Sequence, residues 1–415
     1  MNIWILNHYA VPQKYYYLAR SYNFAKQLIA REHKVTIFAA SSVHNSDINL
    51  ITNRDSYREM DEDGIHYVLF RARRYAGSGR ARIINHIEGA WRMAHLCPEF
   101  TDTLGRPDII YASAGQSLTL VVGIKLAKKL GIKCVSEVTD LWPESFTAYG
   151  LLSKANPILK LLYAGERWIY EKSDALIFSI EGGKDYVIEK KWDKAHGGSV
   201  NLSKVYHINN GVDLKEFDYN KKYNTFPDPD LDDPNTFKMI YTGSIRKANN
   251  LGLLLDVAKR IRDPSVRFIV WGGGDELPAL RQRLVLDNIT NVIFKGKVDK
   301  KYIPYVITRA DLAVLNYEMH DIWKYGGSQN KLFEYFAGGT PVMTNIRMGY
   351  DLMERYDCGF YVDYSDPEKV AETIGRISSM HQHEYERYCA NARRAAEEFD
   401  FKELTDKLEE VIEGC

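Results

Sequence analysis

One pattern constrains this chain more than any other, and it runs twice. Short apolar runs alternate with segments of helical period, and a polar connector interrupts the alternation once. In the first half the apolar runs fall at residues 3–6, 34–39, 65–70, 108–112, 133–138 and 175–179. Helix-period segments lie between them at 18–31, 83–104, 117–130 and 157–172. Such alternation belongs to parallel sheets covered on both faces by helices. The connector is Phe226-Pro227-Asp228-Pro229-Asp230-Leu231-Asp232-Asp233-Pro234, whose prolines and aspartates read as an exposed loop. The alternation restarts at Lys238-Met239-Ile240-Tyr241 and continues through 266–270, 291–294 and 312–315 to helices at 384–398 and 401–412. A chain of 415 residues is long for one core and fits two domains of roughly 200 each. The expected class is α/β, with two Rossmann-like domains.

Composition removes several classes of function. The 55 basic and 55 acidic residues balance to zero, so nothing global argues for a nucleic-acid partner. Cys97, Cys134, Cys358, Cys389 and Cys415 are scattered, odd in number and without metal-ligand spacing, which fits a reducing, cytoplasmic setting. No apolar run approaches the ~20 residues of a membrane span, and the first residues read as a strand rather than a signal peptide.

In open α/β sheets ligands bind beyond the carboxyl ends of the strands, so the chemistry is sought there. The richest such region is Gly326-Gly327-Ser328-Gln329-Asn330-Lys331-Leu332-Phe333-Glu334-Tyr335-Phe336-Ala337-Gly338-Gly339-Thr340-Pro341. It reads as a short helix capped by Ser328 and ended by a left-handed Gly338. Leu332, Phe333, Phe336 and Ala337 form its core stripe, while Asn330, Lys331 and Glu334 share another face. A cation beside free N–H groups at a helix start suits a phosphate, and a carboxylate one turn further in suits ribose hydroxyls. A second anion cradle is Thr242-Gly243-Ser244-Ile245-Arg246-Lys247, a strand, a glycine turn and two cations before a helix. The glycines of Trp271-Gly272-Gly273-Gly274 permit close backbone approach but lack the spacing of a dinucleotide fingerprint. In the first half, Thr139-Asp140-Leu141-Trp142-Pro143-Glu144-Ser145 puts two carboxylates and a Trp after a strand. That is either a sugar platform or a capped turn with Pro143 opening the next helix. Arg71, Arg73, Arg74, Arg80, Arg82 and Arg92, with Tyr75 and Trp91 among them, form a basic-aromatic stretch. Such a stretch is either a solvated face, a contact for anionic lipid headgroups, or a grip on an acceptor's pyrophosphate.

The Ser328–Pro341 run resembles the donor motif of glycosyltransferase family 4, in the branch where Ser-x-Lys-x-x-Glu-Tyr-x-Ala-x-Gly-x-Pro replaces a longer two-glutamate signature. The Asp140–Ser145 motif is similar to that of a bacterial polysaccharide-assembly branch related to fucosamine transferases, and Asn209-Asn210-Gly211-Val212-Asp213 resembles the turn that opens the second domain. The resemblance implies a GT-B fold, with a cleft between a first domain of residues 1–208 joined by helix 399–415 and a second of 209–398. It implies a retaining transferase that uses an NDP-sugar as co-substrate, UDP first and GDP second, with no other cofactor and no metal. Donor contacts would come from Gly243, Ser244, Arg246, Lys247, Gly273, Ser328, Asn330, Lys331 and Glu334. Strict spacing would put Ser244 and Asn249, rather than Arg246 and Lys247, at the diphosphate positions. His8, Tyr9, Lys14, Trp142 and Glu144 would face the acceptor, and Asp140, Lys331 and Arg246 would carry the chemistry. Gly326 stands where the family's first glutamate would be. The implied acceptor is a lipid-linked glycan, met at the inner face of the cytoplasmic membrane through the 71–92 stretch. Two other readings share the motifs: a sugar-nucleotide 2-epimerase and a non-catalytic glycan-assembly partner.

Overall fold

The computed structural model describes residues 1–75, 77, 79–114 and 117–415. Two positions of the 71–92 basic stretch, residues 76 and 78, therefore lie outside the described residues. The chain divides into two compact units, Met1–Asn209 with Phe401–Cys415, and Asn210–Asp400.

The first unit holds β1 (Asn2–Leu6), β2 (Lys34–Ala40), β3 (Tyr57–Glu62), β4 (Ile65–Phe70), β5 (Ile109–Ala114), β6 (Lys133–Val138), β7 (Ala175–Phe178) and β8 (Val205–His207). They form one sheet in the order β3-β4-β2-β1-β5-β6-β7-β8, parallel except for β3 against β4. The apolar runs become the buried central strands because helices cover both faces. β3 was not foreseen: Tyr57-Arg58-Glu59-Met60-Asp61-Glu62 carries charge where a core strand carries apolar side chains. It is the exposed edge of the sheet, where charge discourages pairing with another chain. The expected helix at 83–104 is three pieces, Arg80–Leu96, a 3-10 turn Cys97–Phe100 around Pro98, and Thr101–Leu104. Proline removes the backbone donor that would continue the helix.

The last helix, Phe401–Glu413, packs on helix Ala19–Ala30, with Phe401 edge-on to Phe24 at 5.5 Å and Arg31 paired with Glu409 and Asp406. Beneath it lies a buried ion pair. Arg20 donates to Glu137 at 2.6 and 2.8 Å and to the carbonyls of Ile208 and Asn209, and Ser113 Oγ donates to the other carboxylate oxygen at 2.5 Å.

The second unit has β9 (Phe237–Ser244), β10 (Val266–Gly273), β11 (Val292–Gly296), β12 (Leu312–Leu315), β13 (Val342–Thr344) and β14 (Gly359–Tyr361). All pair in parallel, in the order β11-β10-β9-β12-β13-β14. Counted within the unit this is 3-2-1-4-5-6, so the strand order reverses between β9 and β12. Ligands of such sheets bind at that reversal. The connector is not the exposed loop its composition suggests. Asp228 caps a short helix, Pro229–Asp232, Leu231 is buried, and Lys295 on β11 pairs with Asp228 and Asp230. A lysine distant in sequence neutralises the acidic run.

Candidate functional site

The helix that carries the donor motif spans Asn330–Ala337 and follows the reversal between β9 and β12. Its core stripe is as expected, with Leu332, Phe333, Phe336 and Ala337 buried. Its ends are not. Gln329 occupies the N-cap position without a side-chain cap, while Ser328 Oγ accepts from the Asn210 N–H at 2.8 Å and the Ser328 carbonyl accepts from Asn210 Nδ2 at 2.6 Å. Ser328 thus anchors the turn that opens the unit. Gly338 is right-handed (φ −69°), and the left-handed residue is Gly339 at +64°. Asn330 is exposed.

Tyr335, buried one turn from Lys331, reaches across the reversal. Its hydroxyl accepts from the Thr242 N–H at 3.0 Å and contacts the Val314 carbonyl at 3.4 Å. This sets the helix against the ends of both strands and aims Lys331 between them. The Lys331 ammonium donates to Tyr241 Oη at 2.9 Å and to Asn249 Oδ1 at 3.2 Å. It sits 4.3 Å from the Tyr241 ring centre and 5.0 Å from that of Tyr317. An ammonium has three donors, so one remains over. Among the described residues no carboxylate lies within ion-pair distance of it. Desolvation draws its pKa down to about 7, against the opposing pull of Glu334.

The cradle around this lysine is built from backbone and asparagines. Asn249 also donates to Ser244 Oγ at 3.1 Å, and Tyr241 Oη donates to the Ser244 carbonyl at 2.7 Å. Asn316, fully buried just past β12, donates to the carbonyls of Asn249 and Asn250 at 2.9 and 2.6 Å. Asn345, just past β13, brackets the Tyr317 backbone in the same way. Gly243 leaves the approach open, since a Cβ there would stand 3.1 Å from the Lys331 ammonium. Gly272 is required by its neighbour: a Cβ would fall 1.8 Å from the Gly243 carbonyl oxygen, at φ +152°. Gly273 pairs with Ser244 in register at the end of β10.

Other expected residues sit elsewhere in the network. Arg246 and Lys247 are exposed and stand outside the Lys331 cluster, where Asn249 meets the ammonium instead and Ser244 Oγ accepts from Asn249. The cause is the 3-10 turn Lys247–Asn249, which faces Asn249 inward and the two cations outward. Glu334 is mostly buried and paired with Lys300, a partner that sequence reading missed.

In the first unit the order reverses between β1 and β5, and the loop after β1 carries His8 and Tyr9. His8 is buried, with Nε2 2.7 Å from Asn85 Oδ1. Asn85 Nδ2 donates to Ser42 Oγ and to the Arg73 carbonyl, both at 2.6 Å, so its oxygen faces the ring and His8 Nε2 is the donor. Burial pushes His8 down to about 4 and the adjacent His86 to about 3. Tyr9 Oη lies 2.6 Å from His86 Nε2 and receives Arg82 at 3.3 Å, so its proton points to the imidazole. Gly89 allows helix Arg80–Leu96 this close, since a Cβ would lie 2.7 Å from the His8 ring.

Asp140 is exposed and, among the described residues, has no hydrogen-bond or ion-pair partner. It does not cap helix Trp142–Ala148, whose N-cap is Leu141. Trp142 is partly buried and edge-on to Phe146 at 4.6 Å. Glu144 is tied down by the Lys190 ammonium and the Tyr163 hydroxyl, the latter at 2.7 Å. Burial alone would raise its pKa, but those hydrogen bonds hold it below the ordinary range. Glu144 braces two helices rather than presenting a free carboxylate. Lys14 pairs with Glu62 on the edge strand β3.

Missed at the sequence level were Tyr241, Asn316, Asn345, Asn85, His86 and Lys300, while Asn249 stood there only as the strict-spacing alternative to Arg246 and Lys247. A usable signal existed for two of them. Asn316 and Asn345 are each the first residue after a buried strand, where a lone amide is well placed to bridge loops.

These two units match models of known families. Residues 19–196 match the "Glycosyl transferase 4-like domain" and residues 236–379 match "Glycosyl transferases group 1". The chain belongs to the family 4 glycosyltransferases, and its fold is GT-B. It is 26% identical over 215 residues to TuaH of Bacillus subtilis (strain 168), a glycosyltransferase name assigned to teichuronic acid biosynthesis; the match covers 51% of this chain and 50% of TuaH. The chain therefore spans about half the length of that relative. WbjE of Pseudomonas aeruginosa, also named as a glycosyltransferase, is 20% identical over 68% of this chain and 69% of its own length. Sucrose-phosphate synthase from Thermosynechococcus elongatus superposes with a TM-score of 0.74 at 15% identity, over 100% of this chain and 99% of that one. Anabaena HepE in complex with UDP-glucose gives 0.67 at 16% identity, over 100% of both chains.

Proposed function

We propose that the chain is a retaining glycosyltransferase that moves a hexosyl or N-acetylhexosaminyl group from a UDP-sugar to a lipid-linked glycan acceptor. The observation that carries this reading is Lys331: a desolvated ammonium at the strand reversal, held by a phenol and an amide, with one donor free and no carboxylate in contact. A cation so placed favours an anion of the size of a diphosphate. At ~4 Å and an effective dielectric near 20 the attraction is about 4 kcal/mol before desolvation, and it grows as the leaving group gains charge. Arg246 and Lys247, exposed beside the cradle, add positive charge, and Glu334 takes the ribose hydroxyls in exchange for Lys300. GDP is the second choice of donor. Complexes of HepE with UDP-glucose and of the E. coli trehalose enzyme with UDP-2-fluoro glucose support a uridine donor.

The neutral cluster of His8, Tyr9, His86 and Tyr75 suits an acceptor sugar, whose hydroxyls need partners that both donate and accept. Asp140, exposed after β6, orients the reacting hydroxyl, and Trp142 gives a face for the ring. The departing phosphate takes the acceptor proton, without a covalent intermediate and without a metal. The product is a bacterial surface polysaccharide, such as capsule or O-antigen, built at the cytoplasmic side of the membrane; the name of TuaH, which places that protein in teichuronic acid biosynthesis, supports the polysaccharide role.

The test is thermal unfolding with UDP, GDP, ADP and CMP, each with EDTA. A nucleotide at 100 times its dissociation constant stabilises by about 2.7 kcal/mol. A shift with UDP alone is expected; no shift with any nucleotide would favour a non-catalytic assembly partner.

A further inference from the structure

Outside the strand reversals, the first unit carries a surface that neither the transfer reading nor the arginine pattern accounts for. Helix Arg80–Leu96 buries Asn85, His86, Gly89, Ala90 and Met93 against the sheet. Its opposite face is not polar. Ile83, Ile87 and Trp91, spaced four apart, are 59, 53 and 58% exposed, with Ile84 beside them. A soluble helix normally puts charge on that stripe.

The stripe does not stand alone. Helix Ser117–Leu130 packs between Arg80–Leu96 and Pro157–Lys172 on the same face of the sheet. All three helices begin at the carboxyl edge of the sheet, the first two because they follow β4 and β5, the third because it runs down into β7. Most of their exposed apolar residues lie in the half of each helix near that edge, namely Ile83, Ile84 and Ile87, Leu118, then Ile158 and Leu161, the last 73% exposed, while Trp91 continues the stripe further down the first helix. Leu151 and Tyr149, in the turn before the third helix, extend the patch. Contiguous apolar surface of this kind marks a contact.

Charge indicates what covers it. Arg80, Lys154 and Lys160 fringe the patch, all exposed, and among the described residues none has a carboxylate partner. Glu88, the acid of this helix, is neutralised by Arg73. Other arginines of the basic stretch serve the fold: Arg71 donates to the Asp55 carbonyl at 2.7 Å, Arg74 to the Asp47 carbonyl at 3.0 Å and Arg92 to the Arg71 carbonyl at 2.6 Å. An apolar face ringed by unpaired cations is complementary to an anionic bilayer, with side chains at acyl depth and cations at the phosphates.

We propose that this three-helix face, rather than the arginine stretch by itself, docks the protein on an anionic phospholipid surface by inserting Ile83, Ile87, Trp91, Ile158 and Leu161. The inference deepens the reading of a lipid-linked acceptor and rests on it for its biological sense. It also orients the first unit with the carboxyl edge of its sheet, where the acceptor loops lie, toward the membrane.

The experiment is sedimentation of the full chain with vesicles of phosphatidylglycerol and phosphatidylethanolamine, against phosphatidylcholine vesicles, at 0.1 and 0.5 M salt (about a Debye length of 10 Å at the lower). Wild type is expected to pellet with the anionic vesicles at least tenfold more than with the neutral ones. The combined variant Ile87→Glu, Trp91→Ser, Leu161→Glu is expected to lose that binding at least tenfold, while Val285→Glu, an exposed apolar site in the second unit, keeps it. Equal binding by the combined variant and wild type, or release by millimolar inorganic phosphate, would overturn the proposal. So would self-association that the same variant abolishes with no vesicle binding. A UDP thermal shift on the same samples separates the outcomes: a shift without vesicle binding removes only the docking face, and vesicle binding without a shift removes the transfer reading.

Discussion

Two cations, one in each unit, are desolvated beside the ends of parallel strands, and they are treated differently. Arg20 meets a buried carboxylate, two carbonyls and a phenylalanine face, so its charge is compensated within the fold. Lys331 meets a phenol, an amide and two aromatic rings, and its charge is left over. A structural cation is closed by its own chain, whereas a cation meant for a ligand is held in place by neutral groups that fix its position without satisfying it. The strand reversals differ as well: the second unit's is built around a cation, and the first unit's is a net of His, Tyr and Asn joined by Arg82, in which buried His8 Nδ1 has no hydrogen-bond partner among the described residues.

Four substitutions or conditions sharpen this contrast, from the largest effect down. Glu137→Ala leaves Arg20 buried without its partner and should destabilise the first unit by about 3–5 kcal/mol, read as a lower urea midpoint. Lys331→Met should do the reverse for stability, leaving the melting temperature equal or higher, while turnover falls roughly 10²–10³-fold with a smaller change in substrate affinity. If Lys331→Met destabilised as Glu137→Ala does, the two cations would be alike and the contrast would fail.

Acidity should separate the units next. His8, held at about 4 against an unfolded value near 6.5, binds its proton less readily when folded. Its contribution is complete above pH 6.5 and is lost as pH falls toward 4, roughly 3 kcal/mol in all. Lys331 is also depressed, from 10.5 to about 7, so the second unit gains stability as pH rises between those values. Hydrogen exchange resolved by unit, from pH 4 to 10, should show the two slopes in different windows. The smallest effect belongs to Glu334→Ala. It frees Lys300 and should weaken UDP binding about tenfold without lowering stability, because Glu334 lies off the core stripe.

The architecture was legible in the sequence because each central strand is buried on both faces and so is written as an apolar run. β3 escaped because an edge strand is selected for charge, and the connector escaped because Lys295, its neutralising partner, lies more than sixty residues away. The donor helix was legible through Lys331 and Glu334, whose spacing alone puts them on one face. What surrounds them was not. Asn249 faces Lys331 while Arg246 and Lys247 face outward because a 3-10 turn and the left-handed Asn250 set the loop, and Asn316 holds it from another strand. Glu144 looked functional in a motif and is bound by Lys190 and Tyr163, contacts that only folding creates. The exposed Ile83-Ile87-Trp91 stripe has the same periodicity as a buried one, so its exposure could not be read from spacing.

The central claim, that Lys331 awaits the donor's diphosphate, is tested most directly by titration calorimetry of UDP at pH 8 in two buffers of different ionisation enthalpy. A lysine near 7 is mostly neutral at that pH and must take up a proton when the diphosphate arrives. The account predicts uptake approaching one proton per UDP, absent in Lys331→Met. Binding of UDP by Lys331→Met with the affinity and proton uptake of the wild type would contradict it.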